Sequence, residues 1–202
     1  MDKDARRHAP ATRRNRDPIL AVLERVLPSD GLILELGSGT GEHASYMAPR
    51  LAPRQWQPSD ADPAALASIA CYQRDSDCDA LLPPIALDVT SDRWAVDRAM
   101  AVVAVNVIHI APWSAARGIM AGAGRVLPED GILYFYGPFQ RGGKHTADSN
   151  SAFDEALKDE DPSWGVRDLV DVITEAAQYD LALREVVDMP ANNLSVVFAK
   201  TI

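Results

Sequence analysis

Apolar positions along this chain follow two spacings, and the two alternate. Short apolar runs bounded by glycine, proline or aspartate are strand-like, whereas recurrence every three or four residues is helical. Ile19, Leu20, Leu23, Val26 and Leu27 have the helical spacing. Asp17-Pro18 before them reads as an N-cap with proline at the first helical position, so a helix is predicted to start there. Leu32-Ile33-Leu34-Glu35-Leu36 then ends at glycines, as a buried parallel strand does.

The rhythm repeats. Glu42–Arg50 is predicted helical, followed by strand and helix at Gln55–Ser59 and Pro63–Gln73, at Ile85–Leu87 and Ser91–Arg98, and at Ala101–Val105 and Ser114–Val126. Gly131–Gly137 is a fifth strand, Gly142–Ser149 a polar loop, and Ala152–Lys158 and Val166–Ala177 two more helices. Alternation of this kind predicts right-handed βαβ units around a parallel sheet. The chain closes with Leu181–Val187, a turn at Met189-Pro190-Ala191-Asn192-Asn193, and Leu194–Lys200. Strands joined so closely must be antiparallel, because a parallel pair needs a crossover of a dozen residues or more.

Length and charge narrow the picture. The 202 residues fit one domain, predicted over 17–202, with residues 1–16 as a flexible basic arm. That arm carries six Lys/Arg and two Asp, in a chain whose net charge is −9. The acidic body disfavours a nucleic-acid partner. The arm has no apolar stretch of a secretory signal, and the longest purely apolar run, Ala99–Val105, is too short to span a bilayer, which leaves a cytoplasmic protein with no membrane contact as the expectation. Cys71 and Cys78 have no second pair nearby, and His8, His43, His109 and His145 are dispersed, so no metal site is expected.

The chemistry-bearing stretch is Glu35-Leu36-Gly37-Ser38-Gly39-Thr40-Gly41-Glu42-His43. Glycines let a backbone turn tightly against a ligand, and the helix that follows offers free N–H groups. A dinucleotide fingerprint would need a third glycine where Glu42 stands, so a pyrophosphate would meet an acid. An acid two positions before such a loop resembles the first motif of the S-adenosylmethionine-dependent methyltransferases. Asp60 lies 19 positions after Gly41, where the ribose-binding carboxylate of that group belongs, and Asp88 in Ala86-Leu87-Asp88-Val89 resembles its adenine-reading acid.

From Asn15 nearly to the end, the chain resembles a family of small methyltransferase-like proteins long classed as a domain of unknown function. The resemblance rests on Asn15-Arg16-Asp17-Pro18-Ile19-Leu20, Trp56-Gln57-Pro58-Ser59-Asp60, Asn106-Val107-Ile108-His109-Ile110, Tyr136-Gly137-Pro138-Phe139, Ser149-Asn150, Trp164-Gly165-Val166-Arg167-Asp168 and Met189-Pro190-Ala191-Asn192-Asn193. Glu42 stands where that pattern has Gln. The resemblance implies an α/β, Rossmann-like, seven-stranded and mostly parallel sheet with helices on both faces and an antiparallel C-terminal strand. It also implies S-adenosylmethionine held by Asn15, Glu35, Gly37, Ser38, Gly39, Gly41, Asp60, Asp88, Val89 and Asn106, and methyl transfer to O, N or S of a small molecule. The alternative is a cofactor-binding or partner-binding protein that has kept the fold without turnover.

After the fourth strand, Asn106-Val107-Ile108-His109 lacks the prolines of the Asn/Asp-Pro-Pro-aromatic motif, which disfavours methylation of nucleobase amines. His109 is the candidate catalytic base, with packing against Trp113 as the competing role. Tyr136 and Trp164 are candidate walls for a flat acceptor.

Overall fold

The structure is a computed structural model and describes residues 5–201. Leu32–Leu36 (β1), Gln55–Asp60 (β2), Ile85–Ala86 (β3), Ala101–Val105 (β4), Ile132–Gly137 (β5), Leu181–Met189 (β8) and Asn193–Lys200 (β9) form one sheet in the order β3-β2-β1-β4-β5-β9-β8. The first five run parallel, and β9 pairs antiparallel with both β5 and β8. This is the α/β, seven-stranded, mostly parallel architecture expected from the sequence. A separate two-stranded sheet joins Phe139–Gln140 (β6) to Arg167–Asp168 (β7).

Side chains alternate across the strands, so each strand feeds two cores. Leu34, Leu36, Val102, Ala104, Leu133 and Phe135 pack with Ile119 and Met120 of Trp113–Val126 (α4) and Val172 of Leu169–Ala177 (α6). Ile33, Ala101, Val103 and Tyr134 pack on the other face with Ile19 and Leu23 of Pro10–Val26 (α1) and Met47 of Glu42–Leu51 (α2). Pro63–Arg74 (α3) and Asp148–Glu160 (α5) complete the helices. Among the described residues, no helix is long and apolar enough to cross a membrane.

Three elements differ from the sequence reading. The first helix starts at Pro10 rather than at Asp17, which places Pro18 inside it and makes residues 10–16 part of the domain. Pro10 takes the early helical position that proline favours, and Thr12, Asn15 and Ile19 line the buried stripe, so helical packing continues upstream of the Asp-Pro signal. Residues 1–4 of the expected arm lie outside the described residues. Ser91–Arg98 is irregular instead of helical. It lies directly on α4, with Val89 against Gly118 and the buried Trp94 ring against Gly122, where a Cβ would come within 1.9 Å of Trp94 Cζ2. That close approach leaves little room for a helix on this side of α4. Finally, β7 interrupts the helix expected from Val166, and α6 begins at Leu169 with Asp168 Oδ1 accepting from Val170 N at 2.8 Å.

Candidate cofactor cleft and the residues around it

The carboxyl ends of β1 to β4 open on one cleft of about 490 Å³. Its floor is the loop from β1 to α2, in which Gly37, Gly39 and Gly41 all have positive φ, at 60°, 57° and 88°. They do different jobs. A Cβ on Gly41 would come within 2.8 Å of Ile69 Cα, so Gly41 lets α2 start against α3, away from the cleft lining. On Gly37 a Cβ would meet Val107 Cγ2 at 2.8 Å, whereas on Gly39 the nearest atom is a carbonyl oxygen at 3.9 Å, and the added carbon would face the open cleft.

The loop is stitched to β2 from behind. Ser38 N donates to Ser59 O at 2.9 Å, and Ser38 Oγ donates to Glu35 Oε2 at 2.8 Å. Trp56 Nε1 donates to the same carboxylate oxygen at 3.1 Å. Burial pushes the Glu35 carboxyl up to about 6, against those two donors and with the Asp60 charge adding to the rise. Glu35 is expected from the sequence in the ligand site; the structure puts it one layer beneath, holding the loop.

Asp60 ends β2 at the cleft and ties the loop down. Its Oδ2 accepts from Gly39 N and its Oδ1 from Asp62 N, both at 2.9 Å. Asp62, by contrast, caps α3 by accepting from Ala64 N at 2.9 Å. Asp88 and Val89 follow β3 and line the same cleft, with Asp88 Oδ1 accepting both Thr90 donors, which holds the carboxyl below its ordinary range. Asn106 leaves β4 with φ 59°, a conformation asparagine tolerates better than most residues, and also lines the cleft.

The facing wall is α1 and the strap before it. Ala9, Ala11, Thr12 and Asn15 line the cleft. Arg7 N donates to Ser68 Oγ at 2.8 Å and Ala9 N to Glu42 Oε2 at 2.7 Å, so the strap is fastened to α2 and α3. Glu42 is therefore a strap anchor. Asn15 Oδ1 lies 2.9 Å from Nε2 of His43, which lines the cleft from the first turn of α2. Burial pushes the His43 imidazole down to about 4, with Glu42 opposing and Arg16 adding.

None of the three residues expected at the acceptor lines the cleft. His109 is 1% exposed and absent from the cleft lining, its ring edge-on to Phe139 with centroids 5.2 Å apart, and neither ring nitrogen has a partner among the described residues. Trp113, the packing partner expected from the sequence, instead lies beneath the Arg167 guanidinium. Tyr136 is buried at the end of β5, its hydroxyl within reach of the Asn15 and Asn193 side chains, and burial raises it. Trp164 is half-buried in the turn after α5, and its N–H donates to Asp161 O at 2.9 Å.

Residues 6–200 match the protein family described as a protein of unknown function, DUF938. The chain belongs to this family. Its fold is similar to that of an O-methyltransferase family protein from Burkholderia thailandensis, with a TM-score of 0.80 at 13% identity over 95% of this chain and 57% of that one. Human N-acetylserotonin methyltransferase in complex with SAM gives 0.76 at 12% identity, over 95% and 53%. An O-methyltransferase family 2 protein from Planctomyces limnophilus in complex with apigenin gives 0.78 at 17%, over 95% and 60%. The chain thus spans a little over half the length of these proteins and has their methyltransferase fold.

Within this DUF938 domain, sequence reasoning missed Thr12, Leu87, Ile110 and Ala111 as cleft residues and gave His43 no place in the site. Thr12 was legible in principle, being three positions before Asn15 on one helical face. The burial of His109 has a measurable consequence. Burial pushes its imidazole down to about 3, with Arg167 adding and Asp154 opposing. The unfolded chain therefore takes up this proton near pH 6.5 while the folded chain does not, so stability is lost as pH falls from about 6.5 towards 3, by about 1.4 kcal/mol per unit. His43 acts in the same direction; Glu35 opposes both, because its raised folded value adds stability as pH falls from about 6 to 4.5. His109→Leu is expected to flatten unfolding free energy against pH between 6 and 4 by about one proton, measured by urea titration. An unchanged slope would show that the native ring is already protonated or hydrated.

Proposed function

We propose that the protein binds S-adenosylmethionine in this cleft and transfers its methyl group to O, N or S of a small molecule. The observation that carries the reading is the juxtaposition, along one cleft, of Asp88, Asp60, the Gly37–Gly39 turn and Asn106, in the order of strands β3, β2, β1 and β4. Ligands of open α/β sheets bind at this carboxyl edge. The residues present fit the cofactor. Asp60 and Asp88 offer acceptors suited to ribose hydroxyls and an adenine amine, no Lys or Arg among the described residues lines the cleft to repel a sulfonium, and Gly39 leaves open the space a Cβ would fill.

When bound, the cofactor supplies a methyl group on a positively charged sulfur. The chain contributes place and environment: Asp60 and Asp88 hold the nucleoside, the loop fixes its depth, and Ile110, Ala111 and the α1 wall reduce the water around the transfer end. His109 lies too deep to take a proton from a guest, so catalysis is read as alignment of the two reactants in the cleft, with an acceptor that loses its proton to solvent at the open side.

Calorimetry with S-adenosylmethionine, S-adenosylhomocysteine and NADH tests the binding claim, and a metabolite screen for released S-adenosylhomocysteine tests turnover. Binding of NADH alone would overturn the reading. Asp60→Ala is expected to weaken S-adenosylmethionine binding about 10- to 100-fold, the range of a hydrogen bond to a charged group of roughly 1.5–3 kcal/mol. Asp62→Ala should lose a helix cap and leave affinity within a few-fold. The reverse result would move the ribose site to α3.

A further inference from the structure

The cleft has two ends. Leu87 and Asp88 mark one, beside β3, and Asn15 and His43 stand at the other, where Asn15 also reaches the Tyr136 hydroxyl at the end of β5. Since β3 and β5 flank β1 on opposite sides of the sheet, a nucleoside at the Asp60–Asp88 end directs the rest of its molecule towards Asn15 and His43.

The hydrogen bonds at that end assign a proton. Asn15 turns its carbonyl Oδ1 to His43 Nε2 at 2.9 Å, beside the Tyr136 hydroxyl, and a carbonyl oxygen can only accept. Nε2 therefore carries the hydrogen, and Nδ1 keeps its lone pair. No hydrogen bond among the described residues engages Nδ1, and it is not among the buried atoms lacking a partner. Burial keeps the ring neutral at ordinary pH. A neutral acceptor in a cleft lined by two Asp and, among the described residues, by no Lys or Arg suits a cationic donor.

We propose that His43 reads the amino-acid tail of the cofactor, its Nδ1 accepting a hydrogen bond from the tail's α-ammonium group while Asn15 holds the ring in place. This rests on the S-adenosylmethionine reading of the cleft and gives His43 a positioning role. It separates the cleft into a nucleoside half read by carboxylates and a tail half read by an imidazole.

The test compares S-adenosylmethionine and S-adenosylhomocysteine with methylthioadenosine, which has the nucleoside and the sulfur but no amino-acid tail. By calorimetry, His43→Ala is expected to weaken the first two about 10- to 100-fold and methylthioadenosine by less than about twofold. His43→Asn, whose amide oxygen overlays Nδ1, should recover most of the loss; His43→Gln, which overlays Nε2, should not. Asp60→Ala should weaken all three alike. Because each variant is judged by the ratio of two ligands, a partly unfolded preparation does not mimic the result. Equal weakening of all three ligands in His43→Ala, or no weakening of any, overturns the proposal while leaving the cofactor reading intact. Wild-type protein that binds none of the three removes both.

Discussion

Gly39→Val is expected to give a folded protein that no longer binds S-adenosylmethionine, with affinity reduced at least about 100-fold. The position has φ 57°, which a β-branched residue adopts only at a cost of about 1–3 kcal/mol, small enough for most domains to survive. The added side chain would project into the cleft, where no protein atom other than a carbonyl oxygen lies within 4 Å. The ligand and the new methyl groups therefore compete for one volume. Gly41→Val makes the contrast: its Cβ would collide with the Ile69 backbone, so stability should fall as well. Thermal melting beside calorimetry separates the two, and a folded Gly39→Val that binds normally would reduce the loop to a turn.

Gly137→Ala is expected to destabilise the fold by about 2–4 kcal/mol without any ligand present. At φ 156° a Cβ would lie 2.3 Å from His109 Nε2 and 3.1 Å from Asn106 Oδ1. The buried ring has little room to swing away, because Phe139 packs on it and the backbone bond from Gly165 N to His109 O at 3.0 Å fixes the main chain that carries it. Removing the ring should relieve the clash. Gly137→Ala/His109→Ala is accordingly expected to be more stable than the sum of the single losses by about 1 kcal/mol or more, read from a double-mutant cycle in urea. Strict additivity would mean that the backbone conformation, and not the imidazole, requires glycine at 137.

Much of this architecture was legible before any coordinates. The seven strands of the main sheet lie within a residue or two of the segments expected, and β1, β4 and β5 stand out because a strand buried on both faces is apolar over a short stretch and ends at turn residues. The antiparallel pairing of β8 with β9 followed from the shortness of their connection alone. The nearness of Gly37, Gly39, Asp60, Asp88 and Asn106 in one cleft was legible too, since each lies at or within three residues of the carboxyl end of a strand and a parallel sheet carries all those ends to one edge.

What the sequence could not decide is which of two chemically similar positions faces the ligand. Glu35 and Asp60 are both acids at strand ends; the pleat turns one beneath the loop, against Trp56, and the other into the cleft. His43 and His109 are both imidazoles near the expected site, yet only His43 lines it. His109 is sealed by Phe139, Gly137 and Gly165, residues from 28 to 56 positions away in the chain. The same long-range packing overrode local signals at Asp17-Pro18, where helix stacking against the sheet extends α1 upstream, and at Ser91–Arg98, where two glycines of α4 admit an irregular chain. Local periodicity sets what each segment can be. Which face of it meets solvent, core or ligand depends on neighbours distant in sequence, and only the folded chain brings those together.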